Sequence, residues 1–150
     1  WSPRILEEWA RAAARDGRAA EILAREEIAR LTARWPEAMT GAGPEAEAAQ
    51  AVAGLVLPDP DDLHVLVACV AGRADLLITR NHRDFPSRVL SRLGVSRADP
   101  DPLLVRLAGE DEGLRDAMRA LVAEAASELP LRMALKRSAL PRLGRLMQQG

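Results

Sequence analysis

The stretch from Leu57 to Pro86, L-P-D-P-D-D-L-H-V-L-V-A-C-V-A-G-R-A-D-L-L-I-T-R-N-H-R-D-F-P, constrains the fold more than any other part of this chain. A helix is expected to open at its carboxylates. Asp59 is placed to cap it, Pro60 suits a first turn whose N–H would be unpaired anyway, and Asp61 and Asp62 sit where the helix dipole favours negative charge. Val65, Leu66, Cys69 and Val70 then repeat at helical spacing until Gly72 stops the helix. Asp75 to Thr79 is short and apolar enough for a buried parallel strand. A helix followed at once by such a strand implies an α/β sheet, and ligands bind at the C-terminal strand ends of open α/β sheets. Thr79, Asn81 and Asp84 fall at that end.

These residues predict a small acidic site in which Asp62 faces Asp84 or Asn81. Carboxylates gathered in one cleft repel each other, so a hard cation is the natural complement. Mg²⁺ suits such a site because it takes oxygen ligands, keeps several waters and needs only one or two carboxylates beside substrate phosphates.

The run D-P-D-D-L-H-V-L-V-A-C, followed by L-L-I-T-R-N-H-R-D-F-P, resembles the PIN domain family of metal-dependent ribonucleases, which includes VapC-type toxins of bacterial toxin–antitoxin pairs. The opening S-P-R-I-L-E-E-W resembles that family's first acidic helix. Together these motifs cover about residues 1–100. The resemblance implies an α/β, three-layer PIN-like fold with a parallel sheet over 1–100 and a helical C-terminal extension over 101–150. It implies a toxin-type endoribonuclease dependent on Mg²⁺ or Mn²⁺, acting on RNA, with an antitoxin protein as partner and a homo-oligomer as a further assembly. Glu8 and Asp62 match the family's acidic positions, and Asp84 or the uncharged Asn81 fills the last one. The metal ligands implied are therefore Glu8, Asp62, Asp84 and Asn81, with Glu8, Asp62 and Asp84 catalytic. Thr79, Arg80 and Arg83 would contact substrate, the arginines by positioning phosphate. Family members begin with a strand ending in Asp, whereas this chain opens at Trp1 with Ser2 and Pro3 starting a helix. The expectation is that the first strand and its Asp come from outside these residues. A PIN-fold binding module without catalysis, or one part of a split assembly, are the alternatives.

Composition narrows the setting. The 150 residues are 48% hydrophobic, enough for one core and an appended helical piece. No apolar run is long enough to cross a membrane. A single cysteine rules out an internal disulfide, and a reducing cytoplasm is the simplest location. A net charge of −1 excludes nucleic-acid binding by bulk attraction and requires local basic patches. From Pro130 onward the chain supplies Arg132, Lys136, Arg137, Arg142 and Arg145 and no acid.

The remaining chain reads as helical. Helices are expected over Pro3–Asp16, Arg18–Trp35 with Ile22, Ile28, Leu31 and Trp35 on its apolar face, and 45–55. A loop is expected over 39–44, an extended piece at Val56-Leu57, a helix over Ser87–Leu93 and a short strand from Gly94-Val95. The run Asp99-Pro100-Asp101-Pro102 reads as a boundary. Helices over Leu103–Ala108, 114–126 and Leu131–Met147 come after it, the last interrupted by Pro141. His64 and His82 lack any zinc-ligand spacing. Cys69 belongs to a core face, and Trp9 and Trp35 are expected to pack in the core or against a partner.

Overall fold

The structure, a computed structural model, describes residues 1–40, 45–125 and 130–148. The chain divides into two compact units, one of Trp1–Leu77 with Asn81–Ser96 and one of Ile78–Arg80 with Arg97–Gly150.

In the first unit, helix α1 (Pro3–Ala14) starts as expected: the Ser2 hydroxyl accepts from the Ile5 N–H at 3.3 Å and Pro3 occupies the first turn. Gly17, at φ 107°, turns the chain into α2 (Arg18–Arg34). The two helices pack together and are clasped by Glu7, whose carboxylate meets Arg25 at 3.0 Å and Arg11 at 3.1 Å. Those two guanidinium groups, Arg25 first, hold the Glu7 carboxyl below its usual range. The buried stripe of α2 differs in phase from the expected one. It centres on Ala24, with Ile28 and Leu31 partly covered, while Ile22 and Leu23 are exposed. Ile22 lies two residues from Ala24, about 160° away around the helix, so both cannot face α1. Trp9 and Trp35 are each 43% exposed rather than buried in the core, and the Arg34 guanidinium stacks on the Trp35 ring at 5.1 Å.

Helix α3 (Glu45–Val52) is shorter than expected, and residues 41–44 of the expected loop lie outside the described ones. Beyond it Val56 points outward and Leu57 inward, the alternation of an extended segment. A 3₁₀ turn, Pro60–Asp62, leads into α4 (Leu63–Ala71), which ends at Gly72. Strand β1 (Leu76–Ile78), α5 (Ser87–Leu90) and β2 (Ser96–Ala98) come next, the last beginning one residue beyond the Gly94-Val95 pair expected to start it. β1 and β2 form a parallel two-stranded sheet: the Ser96 N–H donates to the Asp75 carbonyl at 2.8 Å and the Thr79 N–H to the Ala98 carbonyl at 3.0 Å. The core of this unit joins Val52, Leu57, Leu66, Cys69, Phe85 and Leu90, with Leu66 and Leu90 fully enclosed. Cys69 is a core residue, and its burial pushes the thiol pKa up.

The second unit is built from α6 (Pro100–Glu110), α7 (Glu112–Ala125), α8 (Leu131–Arg137) and α9 (Pro141–Leu146), around Ala108, Leu135, Leu143 and Met147. The end of the helix expected over 114–126 reaches Ala126, outside the described residues. Asp99-Pro100-Asp101-Pro102 is the start of α6, capped by Asp99 Oδ1 accepting from the Asp101 N–H at 3.0 Å. Pro141 separates α8 from α9 as expected, with Ala139 in the left-handed region at φ 55° between them. Among the described residues no helix is long and apolar enough to cross a membrane.

Candidate acidic site

The first unit gathers its acids at the entry to α4. Asp59 Oδ1 accepts from the Asp61 N–H at 2.9 Å, so Asp59 is the cap its position predicts. This cap closes the 3₁₀ turn and sets Asp62 at the head of the apolar helix, half buried. Burial is the main cause that raises the pKa of Asp62 above the ordinary carboxylate value. The charges of Asp59 and Asp84, and more weakly Glu8, act in the same direction, and only His64 opposes them. Asp62 is thus a carboxylate whose negative form is disfavoured on several sides at once.

Asp84 is held by a local turn. The Asn81 side-chain oxygen accepts from the Asp84 N–H at 3.3 Å, and the Asn81 carbonyl accepts from the Phe85 N–H at 3.3 Å. Phe85 is buried in the core, so the turn is anchored and presents Asp84 from a fixed point. Arg83 reaches the Asp84 carboxylate only at 3.9 Å and is 91% exposed, a contact of little energetic weight.

Glu8 reaches this region from α1, and its carboxylate is already engaged. Arg4 Nε donates to Glu8 Oε1 at 3.0 Å, while Arg4 Nη2 donates to the Asp61 carbonyl at 3.2 Å. One guanidinium therefore ties α1 to the acidic turn. His64 completes the tie: its Nδ1 lies 2.7 Å from the Asp61 carbonyl, which can only accept, so Nδ1 carries the proton. Nε2 then faces Glu8 Oε2 at 3.0 Å without being aligned as a hydrogen bond, a contact that is an ion pair only when the ring is doubly protonated. Arg4 was not singled out in the sequence, although the Arg4–Glu8 spacing of four is a signal for such a pair.

The other expected residues fall in the second unit. Thr79 pairs through its N–H with Ala98, and Arg80 Nη2 donates to the Ser138 carbonyl at 2.8 Å. His82, in the first unit, is an exposed loop residue. Glu8, Asp62 and Asp84 thus share one electrostatic neighbourhood. Among the described residues, however, no three Asp, Glu, His or Cys side chains stand close enough together to hold one ion. The donor set still fits Mg²⁺ or Mn²⁺ in kind, since Asp62 and Asp84 are oxygen donors whose mutual repulsion a cation relieves, and Mg²⁺ characteristically uses one or two carboxylates with water and phosphate oxygens completing its shell.

A family model described as the PIN domain matches residues 1–83, which include Glu8, Asp62 and Asn81 and end one residue before Asp84. No curated protein and no solved structure matches the chain.

Proposed function

The chain belongs to the PIN domain family, whose members are generally nucleases, and from that premise we propose that it is an endoribonuclease dependent on Mg²⁺ or Mn²⁺, the toxin of a bacterial toxin–antitoxin pair. The observation that carries this reading is the convergence of the Asp59, Asp84 and Glu8 charges on a half-buried Asp62. In this reading the sheet belongs to a three-layer PIN-like core over residues 1–100, followed by the helical extension over 101–150. An antitoxin protein is the expected partner, self-association is a further assembly, and the cytoplasm is the expected location.

Asp62 and Asp84 are the residues proposed to hold the cation, with Asn81 contributing its carbonyl oxygen and Glu8 acting directly or through water. The chemistry a divalent cation supplies at such a site is neutralisation of charge on the scissile phosphate and acidification of water. Asp84, fixed by the Asn81 turn, orients the attacking water. A cation held there would offset the burial and the repulsion from Asp59, Asp84 and Glu8 that disfavour the charged form of Asp62. Arg4 and His64 hold Glu8 at the edge of the site, so Glu8 must exchange one of these partners to reach a cation directly. Thr79, Arg80 and Arg83 bind substrate, the two arginines through their guanidinium forks.

The test is cleavage of single-stranded RNA with Mn²⁺, with and without EDTA, by the parent and by Asp62→Ala. The parent should cleave only with the metal, and the variant should stay folded and lose about 10²-fold or more of the rate. Full activity in Asp62→Ala would remove Asp62 from the chemistry. One observation favours a second reading, a PIN-fold binding module without catalysis: the Glu8 carboxylate already accepts from the Arg4 guanidinium without a cation. That reading predicts RNA binding and no cleavage under any metal.

A further inference from the structure

The second unit contains a charged cleft. It is an open cavity of about 670 Å³ lined by Arg80, Lys136 and Arg142, with Asp99, Asp101 and Pro141 completing its wall. Its charge is directional. Asp101 is buried at 6% exposure and spends both carboxylate oxygens on backbone donors, Oδ2 on the Arg142 N–H at 3.0 Å and Oδ1 on the Leu143 N–H at 2.9 Å. Asp99 Oδ1 is committed to the Asp101 N–H. Asp101 thus spends its whole carboxylate on the backbone and Asp99 spends one oxygen there, while Arg80, Lys136 and Arg142 are exposed.

The basic side chains are also placed by the fold. Arg80 is fixed by its Nη2 bond to the Ser138 carbonyl, which uses one of the five N–H donors of a guanidinium. Arg142 sits in the first turn of α9, and that turn is tied to α6 by Asp101. Outside the lining, α8 and α9 also expose Arg137 and Arg145, and no acid occurs from Pro130 to the last residue. A single phosphate would need one such fork. A row of exposed cations on consecutive helices fits a polyanion, and a chain of net charge −1 can hold one only through a local patch.

We propose that this cleft is a binding site for the phosphate backbone of single-stranded RNA, gripped by Arg80, Lys136 and Arg142. The proposal rests on the ribonuclease reading for its choice of polyanion, because a nuclease has to hold its substrate beyond the scissile bond.

The experiment measures binding of a fluorescein-labelled single-stranded RNA to the full chain by anisotropy, in EDTA and over about 50–200 mM salt. Lys136→Glu combined with Arg142→Glu should weaken RNA binding at least ~10-fold and lower the salt slope by about 1.4, since each single-strand phosphate contact contributes about 0.7. Arg132→Glu makes the same kind of charge change outside the lining and should have a much smaller effect. Arg142→Lys, which keeps the charge, should retain most of the binding. If the Glu variants lose their thermal transition, Lys136→Gln with Arg142→Gln replaces them. Equal losses from Arg132→Glu and Arg142→Glu would mean bulk charge and would overturn the site, as would unchanged binding in the double variant. Binding of poly-glutamate but not RNA would overturn it in favour of an acidic protein partner. Catalysis is scored separately in Mn²⁺: a parent that binds RNA through the cleft and never cleaves leaves the cleft standing and removes the ribonuclease reading.

Discussion

Replacing Asp101 tests whether a helix can be capped from another helix. Helix α9 is six residues long, and its own cap position is Leu140, which has no side-chain acceptor. Its first N–H groups would be orphaned without Asp101, which reaches from the first turn of α6 to the N–H groups of Arg142 and Leu143. Hydrogen bonds involving a charged group contribute about 1.5–3 kcal/mol each, but Arg142 is close enough to solvent for water to replace part of its share. We therefore expect Asp101→Ala to cost about 3 kcal/mol, against about 1–2 kcal/mol for loss of an ordinary cap. In a chain of this length that corresponds to a fall in Tm of roughly 6–12 °C. Asp101→Asn should cost about half as much, because the amide oxygen can keep one bond while the amide NH₂ faces the other donor. Thermal and urea unfolding followed by circular dichroism would measure both variants. Amide exchange should show the Arg142 and Leu143 N–H groups losing protection first. An Asp101→Ala protein within about 0.5 kcal/mol of the parent would refute the reasoning, since that is the range of a surface substitution that touches nothing.

The acidic site carries two further expected outcomes. Asp62 is raised in the folded protein, so the folded state binds its proton more tightly than the unfolded chain does, and its contribution to stability falls as pH rises through the folded pKa. Asp62→Asn should accordingly melt above the parent at pH 7 while being impaired in cleavage. That difference should shrink as pH falls and vanish well below the ordinary value of 3.8, where the parent is protonated in both states. A variant that melts below the parent at neutral pH would contradict the sign. For Glu8→Gln, loss of the exposed pair with Arg4 and of the unaligned contact with His64 should matter little to stability, with Tm moving by no more than about 2–4 °C, while Mn²⁺-dependent cleavage falls steeply. A stability loss with unchanged cleavage would make Glu8 a structural tie and nothing more.

Local signals were legible in the sequence, and long-range ones were not. Ser2, Asp59 and Asp99 cap turns within three residues of themselves, so composition and spacing reveal where helices begin. The strand at Leu76–Ile78 is apolar and comes after a glycine stop, which is again local, but it is not the buried strand expected, since Leu76 and Leu77 are partly covered and Ile78 is 55% exposed. The phase of α2 was only partly legible, because the exposed Ile22, Leu23 and Trp35 are as apolar as the covered Ile28 and Leu31, and only the partner helix selects among them. The Arg4 bond to the Asp61 carbonyl spans a separation of 57 residues, and the Asp101 bond to Arg142 spans 41. Neither leaves a periodic trace.

Two Asp-Pro-Asp runs, alike in sequence, are set apart by such long-range contacts. Asp59-Pro60-Asp61 and Asp99-Pro100-Asp101 open helical turns in the same way, each with the first Asp accepting from the N–H two residues on. Read alone, both are caps. What separates them is the surroundings of one further acid in each turn, Asp101 in one and Asp62, a residue beyond the matching Asp61, in the other. Asp101 is buried against two backbone donors from α9, and its charge is answered inside the protein. Asp62 is half buried beside Asp59, Asp84 and Glu8, which add repulsion to the cost of burial. A buried carboxylate answered by N–H groups holds the scaffold together at any cation concentration. One crowded by other carboxylates is held at a cost in stability that a bound cation would remove, and this difference in surroundings is the physical ground for placing the chemistry at Asp62 and the scaffold at Asp101.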